Sequence, residues 1–135
     1  GLRDYLDGGG VVVTEWSTSA TVFNAAFEEN VAQGAWQGDC YDNVQPSVQL
    51  TPEDRFWQDN AFVAVGANLE GCGYDMSAYP DIVPIGGWTA DTVQIAYRDR
   101  GLGRLWLVEA DWQDTQVEFT AESTALMQYM VGWLP

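Results

Sequence analysis

The sequence predicts an α/β domain: a mostly parallel sheet flanked by helices, closed by an antiparallel C-terminal hairpin and a final amphipathic helix. Three observations carry this expectation. Val11, Val12, Val13 and Thr14 form a β-branched run without polar alternation, the pattern of an inner strand buried on both faces of a parallel sheet. Segments of helical spacing stand on either side of that run. Far along the chain, DTVQIAYRDRGLGRLWLVEADWQD (91–114) reads as two strands joined by a glycine-containing turn.

In chain order, Leu2, Tyr5 and Leu6 have helical spacing, and Gly8, Gly9 and Gly10 supply the positions that end a helix and admit a strand. After the valine run comes a strand-to-helix loop, in which Ser17 or Ser19 caps a helix carrying Val22, Phe23, Ala26, Phe27 and Val31 on one side. The stretch 33–60 is turn-rich. Its one clear signal is Thr51-Pro52-Glu53-Asp54, an N-cap, a first-turn proline and two acids opening a short helix through Phe56 and Trp57. The apolar run 61–67 is expected to be a strand and 68–84 an irregular excursion, since Pro80 and Pro84 bar a regular helix. Ile85-Gly86-Gly87-Trp88 lacks the Lys and following helix of a phosphate loop and reads as a turn.

In the stretch 91–114, Val93, Ile95 and Tyr97 alternate with Thr92, Gln94 and Arg98, predicting a half-buried strand. Leu105 to Val108 are all apolar, predicting an antiparallel partner covered on both faces. Leu126, Tyr129, Met130, Trp133 and Leu134 then mark one face of a last helix that packs on the sheet.

At 135 residues the chain fits one domain with one core, and 47% apolar residues including seven Trp supply it. Twenty acids stand against five Arg, with no Lys and no His, for a net charge of -15. Such a field repels nucleic acid and anionic lipid. It suits a saline habitat, a secreted protein that meets divalent cations, or a device for solubility, and the chain is expected outside cells or on their surface rather than in the cytoplasm. No apolar run is long enough for membrane insertion.

Cys40 and Cys72 sit in polar, glycine-containing stretches, QGDCYDN and EGCGYDM, without the CxxC or His of a zinc site. They are either a disulfide or two separate thiols. Paired, they would close a loop of about 33 residues, worth roughly 3.5–4 kcal/mol in the chain-entropy model.

The order of helix, GGG, VVV strand, capped helix, then a strand, a GLGR turn, an LWLVEADW strand and a C-terminal helix ending in GWL resembles the class I glutamine amidotransferase-like superfamily. The resemblance covers both ends of the chain and not its middle. It implies a flavodoxin-like parallel sheet, with the first strand and part of the first helix upstream of Gly1. It also implies a nucleophilic Cys in the turn after an inner strand and a His and a Glu near the last strand. Here that turn reads TEWSTS and the strand end EADWQD, so the thiol and the imidazole are missing. Cys40 and Cys72 follow no apolar strand, and without His a Cys or Ser nucleophile lacks its usual base. The resemblance therefore implies a catalytically inactive member.

The candidate site is a set of carboxylates at strand ends. Glu15 closes one strand, and Glu109, Asp111 and Asp114 close another, so in an open α/β sheet they converge where ligands bind. Glu109, Asp111 and Asp114 are candidate ligands for Ca²⁺, whose preference for oxygen suits a chain without His. Acids beside Trp16, Trp88 and Trp112 alternatively suit a carbohydrate, bound or hydrolysed between two carboxyls. The plainer alternative is a solvated acidic rim over core tryptophans. Arg98, Arg100 and Arg104 are expected to pair internally with acids such as Asp99, Glu109 or Asp111, the alternative being a docking point for another subunit's acidic face. The favoured function is non-catalytic binding or assembly, with a protein partner or second copy covering an open sheet edge. A Ca²⁺- or carbohydrate-binding module is the alternative and a carboxylate-based hydrolase the next.

Overall fold

The computed structural model describes all of the chain except residues 16–17, 33–35, 42–47, 61–70, 90–91 and 110–120; at 37–41, 71–72, 88–89 and 121–123 it describes the backbone alone. The described elements are α1 (Leu2–Asp7), β1 (Val11–Val13), α2 (Ser19–Phe27), β2 (Gln37–Tyr41), β3 (Val48–Gln49), α3 (Arg55–Asp59), β4 (Gly71–Tyr74), β5 (Val83–Thr89), β6 (Thr92–Arg100), β7 (Gly103–Val108) and α4 (Ala121–Val131). The expected strand at 61–67 lies outside the described residues.

β6 is the axis of a seven-stranded sheet. It pairs antiparallel with β7, in register from Ile95↔Val108 to Arg100↔Gly103, which is the hairpin the sequence indicates. It also pairs with β5 between Val83↔Tyr97 and Thr89↔Thr92, with shifts of register, and meets β4 at Tyr74↔Val93. β2 joins β4 and β3 joins β5, again antiparallel. Among the described strands, β1 and β7 alone are parallel, from Val11↔Arg104 to Val13↔Trp106.

The sheet is therefore mixed and strand-dominated, with few and short helices. The expectation of a mostly parallel sheet flanked by helices, including the flavodoxin-like sheet implied by the resemblance, is overturned by this pairing pattern. The physical reason lies in what an apolar run reports. It reports that both faces of a strand are covered, and is silent on the direction of its neighbours and on whether it has one or two. Val12 packs with Leu6, Phe23, Leu105 and Leu107 on one face of the sheet; Val11 and Val13 pack with Trp106, Val108, Leu126 and Met130 on the other. β1 is covered on both faces, yet among the described strands it stands at the end of the order rather than inside it.

The same coverage corrects β6. Thr92 to Tyr97 are all buried, polar Thr92 and Gln94 included, so this strand is not half-exposed. α1 and α2 contribute Leu6, Ala20, Phe23 and Ala26 to one core; α3 and α4 contribute Phe56, Trp57, Leu126 and Met130 to the other. Alternation along β7 divides its side chains between the two, Leu105 and Leu107 to the first, Trp106 and Val108 to the second.

Local differences have local causes. Thr18 is the N-cap of α2, and Ser19 lies just inside the helix, fully buried. Asp54 rather than Thr51 caps α3, accepting from the Phe56 N–H at 2.8 Å; the Thr51 hydroxyl instead donates to the Pro84 carbonyl at 2.5 Å. The expected excursion at 68–84 contains β4 and the start of β5, and Ile85 to Trp88 run inside β5 rather than forming a turn. Short strands broken by Gly and Pro carry no readable period. The GLGR turn has a steric basis: Gly101 has φ of 58°, and a Cβ on Gly103 would collide with the carbonyl oxygens of Leu6 and Gly10. Those two glycines let α1 and the GGG segment lie against the hairpin.

Candidate functional site

Because β1 and β7 are parallel neighbours, their carboxyl ends lie side by side. The residues that follow them, Thr14 and Glu15 after β1 and Glu109 after β7, thus reach the same end of the sheet. The N-terminus of α2 adds Ser19, and β4 adds Tyr74. Glu15 and Glu109 thus follow two neighbouring parallel strands.

A chain of hydroxyls binds these elements together in the interior. The Thr14 Oγ1 lies 2.8 Å from the Ser19 Oγ, which lies 2.8 Å from the Tyr74 hydroxyl. At its ends, Thr14 donates to the Trp106 carbonyl at 3.0 Å and Tyr74 to the Val108 carbonyl at 3.1 Å. Three hydroxyl protons serve these four contacts, since each hydroxyl has one to give. With those two protons on the carbonyls, the third, on Ser19, goes to one of its two hydroxyl neighbours; the Trp106 carbonyl also accepts from the Thr14 N–H at 3.0 Å.

Electrostatics place both glutamates near this chain. Burial pushes the Tyr74 phenol well above its ordinary range; the hydrogen bond from Ser19 opposes the rise, and the charges of Glu109 and Glu15 add to it. The phenol therefore remains a proton donor at neutral pH. Glu109 is 2% exposed and its N–H donates to the Gln94 carbonyl at 2.9 Å, while Glu15 is partly exposed. Glu15 is thus the more exposed of the two residues.

Of the other expected site residues, Trp16, Asp111, Trp112 and Asp114 lie outside the described residues, as does the side chain of Trp88. Among the described residues no group of three His, Cys, Asp or Glu could hold a metal ion. Cys40 and Cys72 stand opposite each other in the β2–β4 ladder, their side chains outside the described residues. No described helix is long and apolar enough to cross a membrane. Thr14, Ser19 and Tyr74 were not legible as site residues. Ser19 reads as a cap, and nothing in GCGYDM indicates that its tyrosine meets a helix from another part of the chain.

The three arginines of the hairpin pair internally. Arg98 bonds Glu29 at 3.1 Å and Asp81 at 3.2 Å over the Phe27 ring. Arg100 pairs with Asp7 at 3.1 Å and donates to the Ala26 carbonyl at 2.9 Å. Arg104 grips Asp99 with two hydrogen bonds and lies over the rings of Tyr97 and Trp133. These contacts staple the hairpin to its surroundings.

No protein-family model matches the chain, and no similar curated protein or solved structure was found.

Proposed function

We propose that this domain is a non-catalytic binding module that holds a neutral polyhydroxylated ligand, a carbohydrate in class, at the carboxyl end of the β1–β7 pair. The observation that carries the reading is the convergence of Glu15 and Glu109 at one strand end, beside the Thr14–Ser19–Tyr74 hydroxyl chain. A carboxylate offers about four acceptor sites, so Glu15 can take hydroxyl donors from a ligand in addition to any partner it has. An anionic ligand would meet both carboxylates and the net charge of -15, which disfavour it.

The chemistry of the hydroxyls favours binding over turnover. The partners of the Ser19 hydroxyl are two other hydroxyls, neither of them a base at neutral pH, and the chain has no imidazole. With burial holding Tyr74 protonated, the chain of hydroxyls acts as a brace for the strand ends.

The test is a thermal-shift and calorimetric screen of neutral oligosaccharides against the wild type and Glu15→Gln. A ligand that raises the melting temperature of the wild type and loses at least tenfold in affinity with the variant supports the proposal. Absence of any shift across the screen, or an undiminished shift with Glu15→Gln, overturns it. A Ca²⁺-dependent shift reversed by chelator would replace the sugar with a cation at the same carboxylates, and release of shorter sugars in the same samples would make the module a hydrolase.

A further inference from the structure

From the β2–β4 register we infer that Cys40 and Cys72 form a cross-strand disulfide that clips the outer strand β2 to the strand carrying Tyr74. The two residues are direct partners in an antiparallel ladder, and the register continues unshifted to Tyr41↔Gly71; the irregularity of this pair lies before Cys40. Directly opposed residues of such a ladder have Cα atoms about 4.5–5.5 Å apart. That lies inside the roughly 4.4–6.8 Å range that a disulfide spans, so the backbone need not move to form one.

The position gives the bond a task. Among the described residues β2 pairs with β4 alone, and β4 meets the body of the sheet at one registered position, Tyr74↔Val93. Cys72 lies two residues before Tyr74 on that strand. A covalent link there holds β2 and β4 together as one unit and steadies the strand that brings the Tyr74 hydroxyl to Ser19 and the Val108 carbonyl. The chemistry is thiol–disulfide exchange with a low-molecular-weight disulfide, RSSR. One cysteine thiolate displaces RS⁻ to give a mixed disulfide, the other displaces the second RS⁻, and the products are the protein disulfide and two RSH. Such a bond persists in an oxidising compartment, in keeping with a chain that works outside the cell.

The experiment equilibrates the full chain in a glutathione buffer of oxidising ratio. It then alkylates the chain in denaturant and reads the intact mass and the proteolytic peptides. The expected result is a monomer that takes up no alkyl group and yields a single peptide pair linking Cys40 to Cys72. Reductant should lower the melting temperature of the wild type and leave that of Cys40→Ser/Cys72→Ser unchanged. Two alkyl groups on the oxidised sample, a disulfide found only between molecules, or an equal effect of reductant on both proteins would overturn the inference. None of these readouts involves a ligand, so their outcome is independent of the binding reading above.

Discussion

The Ser19 hydroxyl lies 2.8 Å from that of Tyr74, joining the first turn of α2 to β4 inside the protein. Neither side chain is near the other in sequence, and the contact exists because the N-terminus of α2 brings Ser19 and β4 brings Tyr74 to the same end of the sheet. Tyr74→Phe removes the hydroxyl and leaves the buried ends at Ser19 and the Val108 carbonyl short of a partner. A loss of about 1–3 kcal/mol is expected in urea unfolding, with an unchanged m-value. Ser19→Ala should cost less, because Thr14 and Tyr74 each keep a carbonyl that accepts their proton.

Arg104 is held by geometry as well as by charge. Its two hydrogen bonds to Asp99, at 2.6 and 2.9 Å, need the guanidinium fork, and its faces meet Tyr97 at 3.4 Å and Trp133 at 3.9 Å. Arg104→Lys keeps the charge and loses both features, and should destabilise by about 1–2 kcal/mol. Thermal unfolding in low and high salt separates the two contributions. Most of the difference between wild type and variant should survive in high salt, since stacking and fork geometry are not screened.

Alkaline pH should weaken the fold through its tyrosines. Tyr97 is pushed up to about 12, chiefly by burial and then by its hydrogen bond to Asp54; Tyr129 is pushed up to about 12 by burial and its hydrogen bond to Asp59. Both folded values lie above the ordinary 10.0. The protonated phenols thus contribute stability that is fully present below about pH 10 and lost as pH rises toward 12. Phenolate absorbance should rise late and together with the loss of near-UV circular dichroism. Tyr97→Phe should flatten the fall of stability over that window.

Gly103→Ala tests the seating of the hairpin on α1. The added methyl would collide with the Leu6 and Gly10 carbonyl oxygens, both backbone and unable to swing aside. A loss of about 2–4 kcal/mol is expected in thermal unfolding. Leu102→Ala at the same turn, on an exposed side chain, should change stability by less than about 0.5 kcal/mol.

Salt should stabilise the protein. With a net charge of -15, self-repulsion among the acids outweighs the few exposed ion pairs, and screening shortens from about 30 Å in 10 mM salt to about 3 Å in 1 M. The melting temperature should therefore rise with sodium chloride across that range. A falling melting temperature would show that the ion pairs of Arg98, Arg100 and Arg104 dominate instead.

By itself the sequence determined the pieces that carry a local pattern. The helix at each end, the Val11–Val13 strand and the β6–β7 hairpin were legible because helical apolar spacing, strand-length apolar runs and a glycine turn are local properties. So was the internal pairing of the arginines, since five cations among twenty acids are never far from a partner. The direction of strand pairing, the place of β1 at the end of the described strand order and the strands hidden in glycine-rich stretches were decided only by the tertiary structure. Hydrogen bonding between strands leaves no trace in the period of either one. The site divides along the same line. Glu15 and Glu109 could be named from their places at strand ends, because residues after parallel neighbours must share an end of the sheet. Thr14, Ser19 and Tyr74 could not, because only folding brings together hydroxyls from a strand end, a helix N-terminus and a separate strand, and burial then makes each depend on the others.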